Sequence, residues 1–320
     1  MSNVRLEQLA PRLTHPLVRS LAWLIGSPGL LDPRDARFKG RLVGDDWCSR
    51  ALADATPWLL GLDGAPQELV NHVQARPTRR LGRLAEALIA FWLEHAPETE
   101  LLACNLPVRE GGRTLGEFDF ILREQGANRA THWESAVKFY LQLPDAQAMS
   151  GYVGPGDNDT LGAKVDKVFQ RQLALRESSA GRKVLAAAQV EELDARAFLK
   201  GWLFYEGAPG NRSQGADAPG LSKTHWRGWW LRCVPGWEQA LDDACGYVIL
   251  PRLQWLAWPW RTGDAGVLDR SGLLAALGES MAEAADAVMV VQMHREPGAA
   301  QWIEQSRGFV APAAWGRAGA

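Results

Sequence analysis

The residues whose types and spacing suit catalysis lie in two apolar segments near the middle of the chain, LGEFDFIL and HWESAVKFYL. Side chains alternate between the two faces of a β-strand, so Glu117 and Asp119 share one face of the first segment. The same alternation places Glu134 and Lys138 together on the second segment. If the two strands pair, we expect Asp119, Glu134 and Lys138 to lie side by side on one surface.

Carboxylates from two neighbouring strands suit a hard divalent cation. Such an ion takes oxygen ligands, keeps several waters and binds substrate phosphates directly. It polarises a phosphodiester and stabilises the leaving oxygen, and a lysine beside it can orient the attacking water. The predicted cofactor is therefore Mg²⁺ or Mn²⁺, held by Asp119 and Glu134 with Glu117 as a further candidate ligand. The predicted reaction is hydrolysis of a phosphodiester bond, and Lys138 would orient the attacking water.

Three apolar runs predict the strands that carry these residues. The runs are LLACNLPV, LGEFDFILR and HWESAVKFYLQL, and we interpret them as a three-stranded antiparallel meander. A helix capped by Asp159 or Thr160 is predicted to follow through Arg176, and a strand over Phe198–Tyr205 comes next. A strand, crossover helix and strand generally form a parallel connection, so the sheet is predicted to be mixed.

Two helical regions are predicted before the meander. Leu6–Ile25 has helical spacing with interruptions at Pro11 and Pro16. Pro66–His95 is a second region, which Pro77 should divide because proline breaks the interior of a helix. These segments predict a helical N-terminal cover for the sheet.

The chain after residue 206 is rich in tryptophan, and most of the 15 tryptophans lie in the second half. We interpret them as packing residues, because each buries a large area. Strands are predicted in HWRGWWLRC, GYVILPRLQWLAW and DAVMVVQM, with one helix near Arg270–Ala287 and a last helix around Ala300.

The order of several polar residues resembles a known superfamily. The matching positions are Gly82 and Glu86 on a helix, Asn105 and Arg109 on a strand, Gly116 to Ile121 on the next strand and Lys138 on a third. This order resembles the PD-(D/E)XK, or restriction-endonuclease-like, superfamily in the arrangement of Holliday-junction-resolvase-like proteins, over roughly residues 79–205. The whole chain is similar to a bacterial family named domain of unknown function 1853.

The superfamily resemblance implies an α/β fold, with a restriction-endonuclease-like mixed β-sheet core flanked by helices. Residues 1–78 would form the helical N-terminal segment, 79–205 the nuclease-like core and 206–320 a Trp-rich α+β extension packed on it. The resemblance also implies roles for single residues. Asp119 would be the metal-binding aspartate, Lys138 the motif lysine and Glu86 the helix-borne glutamate.

One position departs from the superfamily pattern. The usual strand carries Glu two residues before the lysine, but Ala136 stands there and Glu134 lies two residues further back. At about 3.3 Å per residue, Glu134 is displaced by about 7 Å along the strand while keeping its face. Either Glu134 or Glu117 completes the site, or the core has lost catalysis and serves as a binding module for nucleic acid or protein.

Six basic residues are candidates for contacts with the phosphates of a nucleic acid, DNA rather than RNA: Arg79, Arg80, Arg83, Lys164, Lys167 and Arg171. Basic runs of this size also occur as ordinary solvated faces, so this alternative stays open. The formal net charge of -2 argues against a protein that coats nucleic acid non-specifically, which leaves a local basic patch.

Composition limits the remaining classes of protein. Hydrophobic residues at 47% and charged residues at 22% match a globule with a sizeable core. The four cysteines have no zinc-ligand spacing, and a reducing cytosol suits them. The N-terminus lacks the apolar run of a signal peptide, and no long uninterrupted apolar stretch follows. We expect a cytoplasmic protein without a membrane segment, and the sequence leaves its oligomeric state open.

Overall fold

The computed structural model describes residues 5–210, 216–283 and 286–316, without the side chains of 279, 280, 282 and 283. The chain divides into two compact units. Unit 1 contains the described residues up to Lys138 together with Ala163–Gly201 and Gly220–Thr224. Unit 2 contains Phe139–Gly162, Trp202–Pro219 and the described residues from His225 onward.

The described residues form eight α-helices in chain order. Their bounds are α1 Leu6–Leu9, α2 Pro16–Gly26, α3 Asp45–Gly64, α4 Gln67–Gln74, α5 Leu81–His95, α6 Leu161–Lys167, α7 Ser179–Ala187 and α8 Arg270–Glu283. The two predicted N-terminal helical regions are confirmed, including the breaks near Pro11, Pro16 and Pro77. Pro16 is the first residue of α2, where the missing N–H of proline costs no helical hydrogen bond.

Ten strands are present in the described part of the chain, with parallel and antiparallel pairings. They are β1 Thr99–Glu110, β2 Arg113–Glu124, β3 Ala130–Gln142, β4 Tyr152–Val153, β5 Leu193–Glu206, β6 Trp226–Arg232, β7 Gly246–Ile249, β8 Arg261–Thr262, β9 Val288–His294 and β10 Trp302–Ala311. Strands β1, β2 and β3 pair antiparallel in sequence order, so the predicted meander is confirmed. The mixed α/β class is also confirmed, because β6 pairs parallel with both β5 and β10.

In unit 1 the strand order is β1-β2-β3-β5. Helix α5 supplies ten buried apolar side chains to this unit, and its neighbour α2 is equally apolar. Trp133 of β3 stacks on Phe198 of β5 with ring centroids 5.1 Å apart, and it meets Trp47 of α3 edge to face at 4.9 Å. These contacts cover one side of the strands and leave the other side to α6 and α7.

In unit 2 the order is β5-β6-β10-β9-β7, with β4 beside β3 and β8 beside β10. The interpretation of the tryptophans as packing residues is confirmed here. The ring centroids of Trp202 and Trp226 lie 4.8 Å apart, and those of Trp255 and Phe309 lie 5.1 Å apart. Trp229 and Trp230 are fully buried.

A buried ion pair sits among these aromatic residues of unit 2. The Arg307 guanidinium donates from Nε and Nη2 to the two oxygens of Glu304, each at 2.6 Å. The two side chains are 0% and 2% exposed. Arg307 also donates to the Trp255 carbonyl and lies 4.9 Å from the ring centroid of Trp202. Both oxygens of Glu304 and all three nitrogens of the Arg307 guanidinium are therefore paired, and the bond to the Trp255 carbonyl joins β10 to Trp255.

Three predicted elements differ from the structure. The helix predicted through Arg176 ends as an α-helix at Lys167 and continues as a π-helical turn over Val168–Gln172. The helix predicted around Ala300 is wrong, because β10 occupies Trp302–Ala311, where pairing with β6 and β9 outweighs local preference. The strand predicted in GYVILPRLQWLAW covers Gly246–Ile249 only, since Pro251 cannot continue the ladder.

Two helices were not predicted from the sequence, α3 and α7. Helix α3 contains Pro57 and two glycines at its end, which are poor helix formers. It buries Cys48, Leu52 and Leu59, so its stability depends on packing within unit 1.

Candidate active site

The site in unit 1 begins where the pairing of β2 with β3 stops. The last paired residues in that direction are Phe120 and Trp133. Beyond them Asp119, which is 5% exposed, turns its carboxylate toward β3. The backbone N–H of Ser135 donates to Asp119 Oδ2 at 2.8 Å, and the Ser135 hydroxyl lies 3.4 Å from the same oxygen. The carboxylate thus takes the place of a backbone acceptor, which fixes its position between the strands.

An irregularity in β1 lies opposite Asp119. Cys104 pairs with Phe120 and Leu106 pairs with Phe118, so Asn105 stands across from Asp119. Asn105 has a φ of 51°, in the left-handed region that asparagine tolerates better than most residues. The β1 backbone is therefore distorted at the residue opposite Asp119, although the β1–β2 register continues through it.

Glu134 lies next to Ser135 on β3 and is 1% exposed. Gln172 donates from Nε2 to Glu134 Oε1. The Lys164 ammonium lies 3.7 Å from the same oxygen and donates to Gln172 Oε1 at 3.3 Å. Glu134 Oε2 has no hydrogen-bond partner among the described residues and lies 3.9 Å from His132 Nε2. One oxygen is therefore held by Gln172 and Lys164, and the other is buried without a hydrogen-bond partner among the described residues.

The π-helical turn positions the groups that hold Glu134. It follows α6 directly and buries Val168 and Phe169. The wider turn brings Gln172 to the same side as Lys164, eight residues earlier, where the two side chains bond. Such turns are rare and occur frequently at functional sites.

Arg83, Glu86 and Glu117 form the partly exposed rim of the site. Arg83 Nη1 lies 2.6 Å from Glu86 Oε2, and Nη2 lies 3.3 Å from Glu117 Oε1. Burial raises the pKa of Glu86, and the positive charge of Arg83 opposes that rise. The charges of Glu86 and Glu117 both raise the pKa of Asp119, so the two glutamates lie within electrostatic reach of the aspartate.

Burial and like charge shift the titration of the two central carboxyls. Burial raises the pKa of Asp119 to about 7, opposed by the hydrogen bond from Ser135 and reinforced by the charge of Glu86. Burial also raises the pKa of Glu134 to about 9, reinforced by the charge of Asp119 and opposed by Lys164. The pKa of Lys164 is lowered by burial. Without a cation the pair therefore keeps its protons to higher pH than isolated carboxyls do, and a bound cation would favour their release.

These shifts predict how stability depends on pH. Folded Asp119 and Glu134 hold protons that the unfolded chain, with ordinary pKa values of 3.8 and 4.5, has already released. The contribution of these two groups to stability is therefore present in acid and falls as pH rises from about 5 toward 8. We expect the melting temperature of the cation-free protein to drop by several °C over this range, at about 2–4 °C per kcal/mol.

Thermal melts in EDTA at half-unit pH steps would measure this dependence. The double variant Asp119→Asn with Glu134→Gln should flatten the slope, because neither amide titrates. The series ends at pH 8, since the lowered pKa of Lys164 contributes the opposite slope under more alkaline conditions. A double variant with the same slope as the wild type would contradict the assignment.

The structure brings together some of the predicted site residues and separates others. Asp119 and Glu134 converge, with Glu86 and Glu117 at the rim. Lys138 is half-buried on β3, and its charge lowers the pKa of Lys164, so it lies within electrostatic reach of the centre. The ammonium beside Glu134 is that of Lys164, which the sequence had suggested only as a contact to phosphate.

Most of the other basic candidates are exposed, and the charge of Lys167 lowers the pKa of Glu134. Arg79, Arg80, Lys167 and Arg171 are exposed, whereas Arg83 pairs with the rim glutamates. Their predicted role in nucleic-acid binding stays a prediction.

Sequence reasoning missed His132, and a glutamine on a predicted helix, such as Gln172, is by itself weak evidence for a site. His132 is fully buried, and burial lowers its pKa to about 3, so the imidazole is neutral. The period of two along HWE places His132 on the face of Glu134, and this signal was available in the sequence. The proximity of Gln172 depends on the π-helical turn, for which the sequence offers no comparable signal.

The carboxylates of the site determine which metal ion it could hold. Among the described residues, no group of three or more His, Cys, Asp or Glu side chains is arranged to hold a metal. Mg²⁺ needs fewer protein ligands, since one or two carboxylates suffice when waters and substrate phosphates complete its shell. The carboxylates of Asp119 and Glu134 supply that number.

Comparison with known proteins identifies the family. The profile of a family described as domain of unknown function (DUF1853) matches residues 19–311. The chain belongs to this family. No curated protein and no solved structure shows a significant match to it. Within the described residues of this DUF1853 protein, the search for a helix long and apolar enough to cross a membrane finds none.

Proposed function

We propose that this DUF1853 protein is a metal-dependent nuclease that hydrolyses phosphodiester bonds of DNA on a PD-(D/E)XK, restriction-endonuclease-like core. The observation that carries the proposal is the pair of buried carboxyls, Asp119 and Glu134, just beyond the last paired residues of β2 and β3. Two acidic groups kept out of water next to each other cost stability unless a cation joins them. Such perturbed groups cluster at functional sites.

In this proposal Asp119 and Glu134 hold Mg²⁺ or Mn²⁺. Gln172 and Lys164 occupy only Oε1, so the buried, unpartnered Oε2 is the oxygen that would meet the cation. When bound, the cation supplies a Lewis acid that polarises the scissile phosphate and stabilises the leaving oxygen.

The chain's own residues orient the reacting groups. Ser135 fixes the Asp119 carboxylate through its N–H, and Gln172 fixes that of Glu134. Lys164, with its lowered pKa, can exchange a proton with a water near Glu134 more readily than an exposed lysine. Lys138 keeps the motif position on β3 and adds positive charge near the attacked phosphate.

Exposed basic residues near the site would bind the substrate backbone. Arg79 and Arg80 precede α5, and Lys167 and Arg171 follow Lys164 along α6 and the π-helical turn. Guanidinium and ammonium groups position a nucleic acid through its phosphates without reading its sequence. This supports a nuclease selective for DNA structure more than for base sequence.

The proposal is tested by incubating the purified full chain with branched, single-stranded and duplex DNA. Parallel reactions contain Mn²⁺, Mg²⁺ or EDTA. We expect cleavage of at least one substrate with Mn²⁺ or Mg²⁺ and none with EDTA. Absence of cleavage under all conditions, or cleavage that EDTA leaves unchanged, would refute the nuclease assignment.

A second function, a non-catalytic module that binds nucleic acid or protein, is favoured by one observation. Ala136 stands at the usual carboxylate position of the motif, and Glu134 Oε1 is already bonded to Gln172. A divalent cation discriminates between the two functions, because a ligand that binds only the folded state raises its melting temperature. A rise with Mn²⁺ supports the nuclease, and no change supports the module.

A further inference from the structure

A pocket of about 290 Å³ opens beside the candidate active site in unit 1. It lies between the start of α5 and the irregular part of β1, and we call it the bulge pocket. The residues that line it include Arg76, Pro77, Arg83, Ala87, Ala90 and Asn105.

The bulge pocket is joined to the catalytic carboxylates. Asn105 lines it and stands opposite Asp119 in the β1–β2 register. Glu86 lines it too, and the charge of Glu86 raises the pKa of Asp119. A group that enters the pocket therefore lies next to a phosphate positioned at Asp119.

The chemistry of the walls suits part of a nucleotide. Arg76 is exposed at the pocket and carries a positive charge for a phosphate. Arg83, Ala87 and Ala90 recur at intervals of four and three residues, so they share one face of α5. Pro77 is exposed, and the mostly buried Ala87 and Ala90 give the pocket a floor of small apolar side chains for the edge of a base. The Asn105 amide at its border bonds to Arg83 and Cys104.

The size of the pocket selects against paired DNA. Its volume of about 290 Å³ lies just below the range of pockets that hold drug-sized ligands and is closer to the size of one nucleoside than of a base pair. A base in a duplex would have to be unstacked and flipped to enter, at a cost of a few kcal/mol, whereas an unpaired base pays little of this cost.

Resting on the proposed function, we infer that the bulge pocket receives one unpaired nucleotide next to the scissile phosphate. The substrates are therefore single strands and the unpaired ends of branched DNA. Continuous duplex is a poor substrate.

Binding is measured separately from cleavage, so that the two proposals can fail independently. A fluorescent single-stranded oligonucleotide and the blunt duplex of the same sequence are titrated with the full chain by anisotropy, with Ca²⁺ in place of Mg²⁺. We expect single strands to bind at least about tenfold more tightly than duplex, since one stacked base contributes that much or more.

Two variants address the pocket directly. Ala87→Leu reduces its volume, and Arg76→Ala removes its exposed charge while leaving the buried core untouched. Each should weaken single-strand binding by about tenfold and leave duplex binding unchanged. The matched control is Ala186→Leu, an exposed position on α7 that lines a different groove.

The outcomes separate the possibilities. Loss of single-strand preference in both variants supports the bulge pocket, even when no DNA is cut in Mn²⁺ and the nuclease proposal fails. Unchanged preference in Arg76→Ala and a folded Ala87→Leu overturns the inference, even when the wild type cuts DNA. Equal weakening toward single strands, duplex and inorganic phosphate identifies a general anion site and also overturns it.

Discussion

Asp119→Asn is expected to reduce cation-dependent DNA cleavage by about a thousandfold or more and to raise the stability of the cation-free protein. The loss follows because a metal contributes several kcal/mol to transition-state stabilisation, and about 4 kcal/mol corresponds to a thousandfold in rate. The gain follows because asparagine can still accept the Ser135 N–H bond but no longer adds a charge beside Glu86 and Glu134.

Initial cleavage rates and thermal melts of the same preparation measure the two effects. At pH 8 in EDTA the variant should melt several °C above the wild type, and Mn²⁺ should raise the wild-type melting temperature more than that of the variant. Asp54→Asn, an exposed position on α3, is the matched control and should change neither quantity. A variant that cuts DNA at the wild-type rate would remove Asp119 from the mechanism, whereas a less stable variant would assign it a structural role. This combination of gained stability and lost activity is typical of residues kept for function.

Arg307→Leu is expected to destabilise the protein by about 3–5 kcal/mol. The substitution leaves the Glu304 carboxylate buried without its guanidinium partner, while the Trp260 N–H still donates to Glu304 Oε2 at 2.7 Å. An isolated buried charge is costly, because neither water nor a counter-ion compensates it. The stability of Arg307→Lys should lie between those of the wild type and Arg307→Leu, since an ammonium keeps the charge but cannot bond both carboxylate oxygens in the planar geometry of a guanidinium.

Urea unfolding of the full chain measures these differences. The double variant Arg307→Leu with Glu304→Leu should lose less than the sum of the single losses, because removing both charges leaves none unpaired. Asp286→Asn breaks the exposed pair with Arg252 and is the control, with an expected loss below about 1 kcal/mol. Additive losses in the double variant would mean that the two side chains act independently.

Much of the architecture around the site follows from local pattern. The alternation in β2 and β3, and the helical spacing in α5, predict the meander and the helix, because each reflects which side of an element is apolar. The same alternation places Asp119 and Glu134 on paired strands without knowledge of the fold. Elements that depend on distant neighbours were missed or misassigned. Helix α3 needs burial to offset Pro57, and β10 is a strand because it lies between β6 and β9.

The site divides in the same way. Local pattern predicts which acidic side chains share a strand face, since the period of a strand is a local property. The folded chain alone reveals that the ammonium at Glu134 belongs to Lys164, that Gln172 reaches the same oxygen from a π-helical turn, and that Asn105 adopts a left-handed backbone conformation. The physical reason is that such contacts join residues distant in sequence, and their geometry is set by strand register and helix packing, which no local pattern records.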